Sequence, residues 1–355
     1  MSHKILLDKL FHYGIRGTAQ KWFSSYLSNR RQYVAIDSEI SQSLDITCGV
    51  PQGSILGPLL FIIYVNDLNF VSDVVMLIMF ADDTNIFIKD KSFNKLINSL
   101  NVELEKIYMW LNTNMLTLNI VKTNYIIFGG NKNQNCPNLV PKINNVPIER
   151  VTETKFLGVI VDEKLHWKKH IDSVITKVSR SIGILYKARY RVGFDQLKQL
   201  YFTLIEPSIL YCCIIWGQSK HSCQLDAVWK LQKKAVRVIT FEKYNAASRP
   251  LFRRCFILNV YEIFEFQTLL FMYKSCNNML PACFSNYFVT NSQIHDHFTR
   301  QASALHITKT KTTCRQSSIS FQGPYLWNKI PSNIKNSQSL IIFKRVLREF
   351  LLSTE

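Results

Sequence analysis

The stretch VVMLIMFADDTNIFIK, residues 74–89, decides how the chain is read. Residues 74–80 are apolar and partly β-branched, ADDT is short and polar, and NIFIK (85–89) returns to apolar residues. Two such runs around a tight connection predict a β-hairpin with Asp82 and Asp83 at its tip. Adjacent carboxylates repel, so they need solvent, hydrogen bonds or a cation. Hard divalent ions suit them, and Mg²⁺ is commonly held by one or two carboxylates together with substrate phosphates. Two such ions about 3.5–4 Å apart can activate an attacking hydroxyl and steady a leaving group. The plain alternative is an ordinary polar turn, because Asp favours turns.

Upstream, VPQGSILGP (50–58) puts Gln52 and Gly53 on a turn before a largely apolar helix, with Pro58 near that helix's first turn. Gly53 lets the backbone approach a flat or phosphorylated ligand closely. Gln52 offers both donor and acceptor groups. By itself such a turn is a loop. Residues 4–30 read as two helices broken at Gly14 and Gly17, and 31–36 and 44–50 as two strands joined by a polar turn. Leu100, Leu104, Ile107 and Leu111 recur at helical spacing, 124–129 reads as a strand and 131–138 as a loop. Hairpin, helix and strand in that order imply an α+β layer, an antiparallel sheet with helices on one face.

The chain of 355 residues has 43 Lys and Arg against 25 Asp and Glu, a net charge of +18. That excess implies a polyanionic partner, most often nucleic acid and less often a membrane surface. A hydrophobic content of 47% excludes wholesale disorder, and 12 Gly with 10 Pro exclude a collagen-like or linker protein. The nine cysteines are odd in number and form no CxxC pair, which argues against a disulfide framework or zinc ribbon and for a reducing compartment. The start, MSHKILLDKLFHYG, lacks the pattern of a signal peptide. The apolar runs 55–65 and 208–216 fall short of the roughly 18 residues of a membrane span, so they are expected to be buried core segments. An intracellular protein is expected, with nucleus and cytoplasmic ribonucleoprotein both open.

Beyond a boundary near 130–150, KFLGVIVD (155–162) reads as a short strand. The next helix has Ile171, Val174, Ile175, Val178, Ile182, Leu185 and Tyr186 on one face, and Lys168, Lys177, Arg180 and Lys187 off it, with Gly193 as its stop. Residues 195–240 read as further helices, and 255–355 as mixed helices around a Ser/Thr/Lys-rich stretch at 308–320. Residues 155–254 hold 19 Lys and Arg against seven Asp and Glu, a net of +12. Tyr186, Tyr190 and Tyr201 lie among these basic residues and can stack on bases, or serve as core and rim. His166 and His170 are four apart but have no third ligand, and His295, His297, Cys276 and Cys283 lack zinc-knuckle spacing.

Taken together, GVPQGSILGPLLFIIYVNDL (49–68) and FADDTNIF (80–87) resemble the reverse-transcriptase domain of non-LTR retrotransposons, closest to the jockey-like group. GIRGTAQKWFSSYLSNRRQYV (14–34), WLNTNMLTLNIVKT (110–123) and KFLGVIVDEKLHWKKHI (155–171) match that family in the same order. The resemblance runs strongly to about residue 190 and more weakly through LIEPSILYCCIIWG (204–217) and PYLWNKIP (324–331). It implies an RNA-directed DNA polymerase on a right-hand scaffold: part of the fingers and palm at 1–130, a linker at 131–149, a basic, helical, thumb-like region at 150–245, and a C-terminal helical region of unassigned role at 246–355. The implied partners are RNA template, DNA primer and deoxynucleoside triphosphates, with two Mg²⁺ ions and no membrane.

By the same resemblance, Asp82 matches the palm carboxylate that holds metal and Asp83 is its less direct neighbour. Phe80 stands beside the incoming nucleotide, Gln52 and Gly53 border nucleotide and template, and Lys122 lies near the triphosphate, or is simply a solvated surface lysine. Phe156, Leu157 and Gly158 match the strand-turn that grips the primer end, or form a core strand. Lys168, Lys177, Arg180 and Lys187 would meet phosphates. The family pattern also places a strand with another catalytic aspartate, ending in a pattern like FD, before the segment aligned with SHKILLDKL, and an endonuclease domain further upstream. Both are expected to be missing, so the metal site is expected to be incomplete and activity impaired, with a non-catalytic nucleic-acid-binding remnant as the alternative. Asp8 and Asp67 do not substitute by motif.

Overall fold

In the computed structural model, residues 1–129, 140–217, 223–294 and 302–353 are described. The loop expected at 131–138 and the histidines His295 and His297 lie outside them. Helices and paired strands make an α+β chain with two compact units, Met1–Thr152 and Glu153–Glu355. Among the described residues every sheet has two strands.

The first unit opens with α1 (His3–His12) and α2 (Gly17–Leu27), which bury Leu6, Leu10 and Leu27. The break falls at Gly14, whose φ of +91° suits a residue without a side chain. β1 (Arg31–Gln32), β2 (Ala35–Ile36), β3 (Glu39–Ile40) and β4 (Leu44–Asp45) form a nested antiparallel ribbon, β2 on β3 and β1 on β4. Two longer strands were expected there. All the strand residues are exposed, so no buried face enforces continuous pairing.

α3 (Leu56–Val65) buries Leu60, Tyr64 and Val65 against α1. Ile55, Leu59 and Ile62 are exposed. The run 55–65 is therefore a core segment on one side only, a correction to the expected burial. A single helix contacts its neighbours along one stripe, and the apolar residues here run all the way round.

β5 (Met76–Phe80) and β6 (Asp83–Phe87) form the expected hairpin, with Phe80 opposite Asp83 and Met76 opposite Phe87. Leu77 and Met79 turn inward while Met76, Ile78 and Phe80 are exposed, the period of two of a one-sided sheet. α4 (Phe93–Thr113) packs beneath, burying Leu104 and Ile107. β7 (Asn124–Tyr125), β8 (Lys142–Ile143), β9 (Val146–Pro147) and β10 (Glu149–Arg150) complete the unit, β7 pairing with β10 in parallel. The strand expected over 124–129 shrinks to two residues because its neighbour offers only two to pair with.

One lysine ties this unit together. Lys9 Nζ donates to the Tyr64 carbonyl at 2.6 Å and to Asp67 Oδ1 at 2.7 Å. It also sits 4.9 Å and 4.8 Å from the ring centroids of Tyr64 and Trp110. Lys9→Met is expected to lower the unit's stability by about 2 kcal/mol, from lost charged hydrogen bonds and cation–π contacts. Urea unfolding followed by circular dichroism measures this, and an unchanged midpoint would refute it.

The second unit begins with β11 (Glu153–Phe156) and β12 (Val159–Asp162), joined by Leu157 and Gly158. Both turn residues have positive φ, +45° and +87°, as a type I′ two-residue hairpin loop requires. The single strand expected at 155–162 is thus two strands, because Leu157–Gly158 is a turn hidden in an apolar run. The Asp162 carboxylate accepts the backbone N–H groups of Lys164, His166 and Trp167 at 3.0 Å, leading the chain into α5 (Lys168–Ala188).

α5 buries Ile171, Val174, Val178, Ile182 and Leu185 as one stripe. It ends at Ala188, and Gly193 caps the start of α6 (Phe194–Leu204) rather than stopping α5. α7 (Glu206–Leu210), α8 (Cys213–Trp216), α9 (Cys223–Ile239) and α10 (Ser248–Cys255) follow. α11 (Val260–Cys276) is buried around most of its circumference and is started by a capping box between Asn259 and Glu262. α12 (Thr313–Gln316), α13 (Ile319–Lys329), α14 (Ser332–Lys335) and α15 (Leu340–Ser353) close one core that runs from Ile171 to Leu351. Among the described residues no single helix is long and apolar enough to cross a membrane; α10 and α11, bent by 41°, pass together by length and composition only.

Glu206 is buried in this core, 3.7 Å from Arg348. Burial pushes its carboxyl above the usual range, and Arg348 pulls it back. A raised carboxyl binds its proton more readily folded than unfolded, so its contribution is full at low pH and falls as pH rises past the usual carboxylate range. Arg348→Met, which strands the carboxylate, is expected to cost about 2 kcal/mol at neutral pH, less than a fully buried pair. The cost should shrink toward pH 5 as Glu206 takes up its proton. A pH-independent loss in thermal melts would contradict this.

Candidate functional site

The hairpin of the first unit carries the two acids at its closed end. Ala81 and Asp82 form the turn, with Ala81 at a φ of +52°, the sign a two-residue hairpin loop needs at its first position. Asp83 is not on the tip itself: it is the first residue of β6, directly across from Phe80. Directly opposed residues share a sheet face, so Phe80 and Asp83 stand together on the outward face beside the Asp82 turn. All three are exposed. Among the described residues no basic side chain pairs with either acid.

The other sequence-predicted residues of this unit lie on neighbouring elements. Gln52 and Gly53 are exposed in the turn before α3. Ser54 Oγ fixes that turn, donating to the Pro51 carbonyl at 2.8 Å and accepting the Gly57 N–H at 3.0 Å. Gly53 has a φ of +79°, and a Cβ there would meet nothing within 4 Å, so its role in the apo fold is conformational. α3 and β5 share a core, since Met79 packs with the cluster of Leu60 and Tyr64. Lys122 ends a short 3-10 turn held by Asn119, whose Oδ1 accepts the Lys122 N–H at 3.2 Å. Ile120 and Ile86 of β6 both pack against the cluster of Leu104, Ile143 and Ile148, while the Lys122 side chain is exposed and bonds to neither acid among the described residues.

The donors suit magnesium in kind, being two accessible carboxylate oxygen groups on adjacent residues. Among the described residues no cluster of three or more His, Cys, Asp or Glu is arranged to hold a metal.

In the second unit, Phe156, Leu157 and Gly158 form the β11–β12 turn. Tyr211 braces it: its hydroxyl donates to the Leu157 carbonyl, and its ring lies where a Cβ on Gly158 would meet Cε1 at 3.4 Å. Trp216 in turn donates its indole N–H to the Tyr211 carbonyl at 2.8 Å and packs edge-on against His170. Sequence reading missed Tyr211, Trp216 and Asp162 as supports of this turn, because their partners are remote or are backbone atoms. His170 is buried and its Nδ1 accepts the Ile160 N–H at 3.3 Å. Burial first, and Lys177 second, lower its pKa and keep the ring neutral. His166 is exposed on the preceding turn.

Lys168, Lys177, Arg180 and Lys187 are all exposed on α5. By helical rotation Arg180 and Lys187 fall opposite the buried stripe, while Lys177 and Lys168 flank it on its two sides. The four basic side chains are thus spread around the solvent-exposed part of the helix.

Residues 1–161 match the model of the reverse transcriptase (RNA-dependent DNA polymerase) family. The chain is 26% identical over 271 residues, 72% of its length, to a probable RNA-directed DNA polymerase from transposon X-element of Drosophila melanogaster. It is 26% identical over 265 residues, 69% of its length, to the RNA-directed DNA polymerase from mobile element jockey of the same fly, and 27% identical over 263 residues to the jockey polymerase of Drosophila funebris. The chain spans only 28–29% of the length of these relatives. With the FADDTNIF hairpin formed and its acids open to solvent, residues 1–161 are a reverse-transcriptase domain of the jockey-like, non-LTR retrotransposon kind.

Proposed function

We propose that the chain acts in RNA-templated DNA synthesis by nucleotidyl transfer. Its substrates would be an RNA template, a DNA primer and deoxynucleoside triphosphates. The observation that carries this reading is the tight hairpin inside the matched stretch bearing two exposed carboxylates that pair with no basic side chain among the described residues. Asp82 is the principal holder of Mg²⁺, with Asp83 beside it. When bound, the metal supplies charge neutralisation for the transferring phosphate. Phe80 flanks the incoming nucleotide, Gln52 and Gly53 border it and the template, and the Lys122 ammonium stabilises charge on the leaving group. Phe156, Leu157 and Gly158 position the primer end, and Lys168, Lys177, Arg180 and Lys187 bind phosphates without regard to sequence.

In this reading residues 1–130 belong to fingers and palm, 131–149 link, 150–245 act as a thumb, and 246–355 support it. Primer extension on an RNA template tests it. Mg²⁺-dependent incorporation that needs Asp82 is expected, because a hard divalent ion takes carboxylate oxygens as ligands. Incorporation indifferent to Asp82 removes the metal assignment. No incorporation leaves the second reading, non-catalytic nucleic-acid binding, which the net +12 of residues 155–254 favours.

A further inference from the structure

The C-terminal ends of α5 and α9 open onto a cavity of about 550 Å³ within the second unit. Tyr186 and Arg189 line it from the end of α5, Lys234 and Arg237 from α9, and Phe241 and Tyr244 from the segment after α9. None of these lies in the stretch matched by the reverse-transcriptase model.

Three features point to the same ligand. Cations and rings alternate: Arg189 sits 5.2 Å from the centroid of Phe241, and Lys234 sits 5.4 Å from that of Tyr186. Lys243 adds a further positive charge, and Glu242 is the one acid among the described lining residues. Tyr244 is 87% exposed, with no hydrogen bond or ring contact recorded among the described residues.

The third feature is backbone. Phe241 occupies the left-handed position that ends α9, with a φ of +61°. The Glu242 N–H donates to the Arg237 carbonyl at 3.0 Å and the Phe241 N–H to that of Val238 at 3.4 Å, the pattern of a Schellman stop. Glycine is the usual residue there, and a phenyl group carries a steric cost. That cost sets an aromatic ring, half exposed, at the mouth of a basic cavity.

We propose that this cavity takes unpaired bases of single-stranded nucleic acid. Tyr244 and Phe241 provide the stacking faces, while Lys234, Lys243 and Arg189 meet the flanking phosphates with their remaining N–H donors. A duplex hides the faces of its bases, so this site reads strandedness rather than sequence. The inference rests on the nucleic-acid reading above and is independent of the metal site and of catalysis.

The test uses the full chain and fluorescence anisotropy with a short labelled oligoadenylate, its abasic counterpart of equal length and the matching duplex. The intact protein should prefer the base-bearing single strand over both others by about tenfold. Tyr244→Ala and Phe241→Gly should each erase that preference, with about a tenfold loss of affinity. Lys234→Gln should instead weaken all three probes and flatten the salt dependence by about one phosphate contact. Phe241→Gly should keep or raise the melting temperature, which separates lost binding from lost folding. Equal binding of abasic and base-bearing strands, or variants that bind like the intact protein, overturn the proposal. So does release of the oligonucleotide by polyglutamate in a manner that depends on Tyr244, which would make this an acidic-peptide site. Failure of the intact protein to bind any probe removes the nucleic-acid reading itself, whereas absent primer extension with the preference retained supports the cavity alone.

Discussion

Asp82→Asn is expected to lower RNA-templated incorporation by about three orders of magnitude, as loss of one member of a cooperating catalytic unit commonly does. Asparagine suits the turn as well as aspartate does, so the hairpin should form unchanged. Asp82 is exposed and pairs with no basic side chain among the described residues, so no structural bond is lost with its charge. The neutral amide keeps an oxygen donor but not the charge that binds a hard cation. Asp83→Asn should cost less, because Asp83 starts the return strand across from Phe80 rather than occupying the turn. The readouts are incorporation at saturating Mg²⁺ and the melting temperature measured side by side. A variant that melts normally and incorporates normally would sink the metal assignment.

Trp216→Ala is expected to have the largest effect on stability, roughly 3–5 kcal/mol, the usual cost of truncating a buried tryptophan. The side chain is fully buried, its indole N–H holds the Tyr211 carbonyl, and its ring abuts His170. For a unit of this size a loss of that order lowers the melting temperature by about 10 °C. The effect should also travel along a chain of named contacts. Trp216 holds the backbone of Tyr211, and Tyr211 holds the Leu157–Gly158 turn. Amide exchange at that turn should therefore rise in Trp216→Ala at temperatures where the rest of the unit remains folded. Trp216→Phe fills most of the volume but cannot donate to Tyr211, so it should loosen the turn with a smaller thermal penalty. Exchange at the turn that follows only global unfolding would break the proposed link.

Several elements could be read from the chain because their signal is local. The 74–89 hairpin announces itself by apolar alternation around ADDT, and α5 by Ile171, Val174, Val178, Ile182 and Leu185 at helical spacing. Other elements could not. Leu157–Gly158 sits inside an apolar run, and only the pairing of Lys155 with Ile160 reveals two strands. Gly193 signals a boundary equally well as the end of one helix or the start of the next, and it caps α6. Lys9 looks like any surface lysine until α3 and α4 bring Tyr64, Asp67 and Trp110 around its ammonium. The basic, aromatic cavity is assembled from residues spread between Tyr186 and Tyr244, which no window of sequence joins.

Periodicity, turn chemistry and the order of motifs are properties of short stretches, and from them alone followed the hairpin, its pair of acids, the basic helix and the reverse-transcriptase family. Packing decided the rest. Which side of α3 is covered, where Asp83 points, what braces the turn after β11 and which rings meet which cations all depend on surfaces brought together from distant parts of the chain. Burial and long-range hydrogen bonding come into being only when those surfaces meet, and no residue carries them by itself.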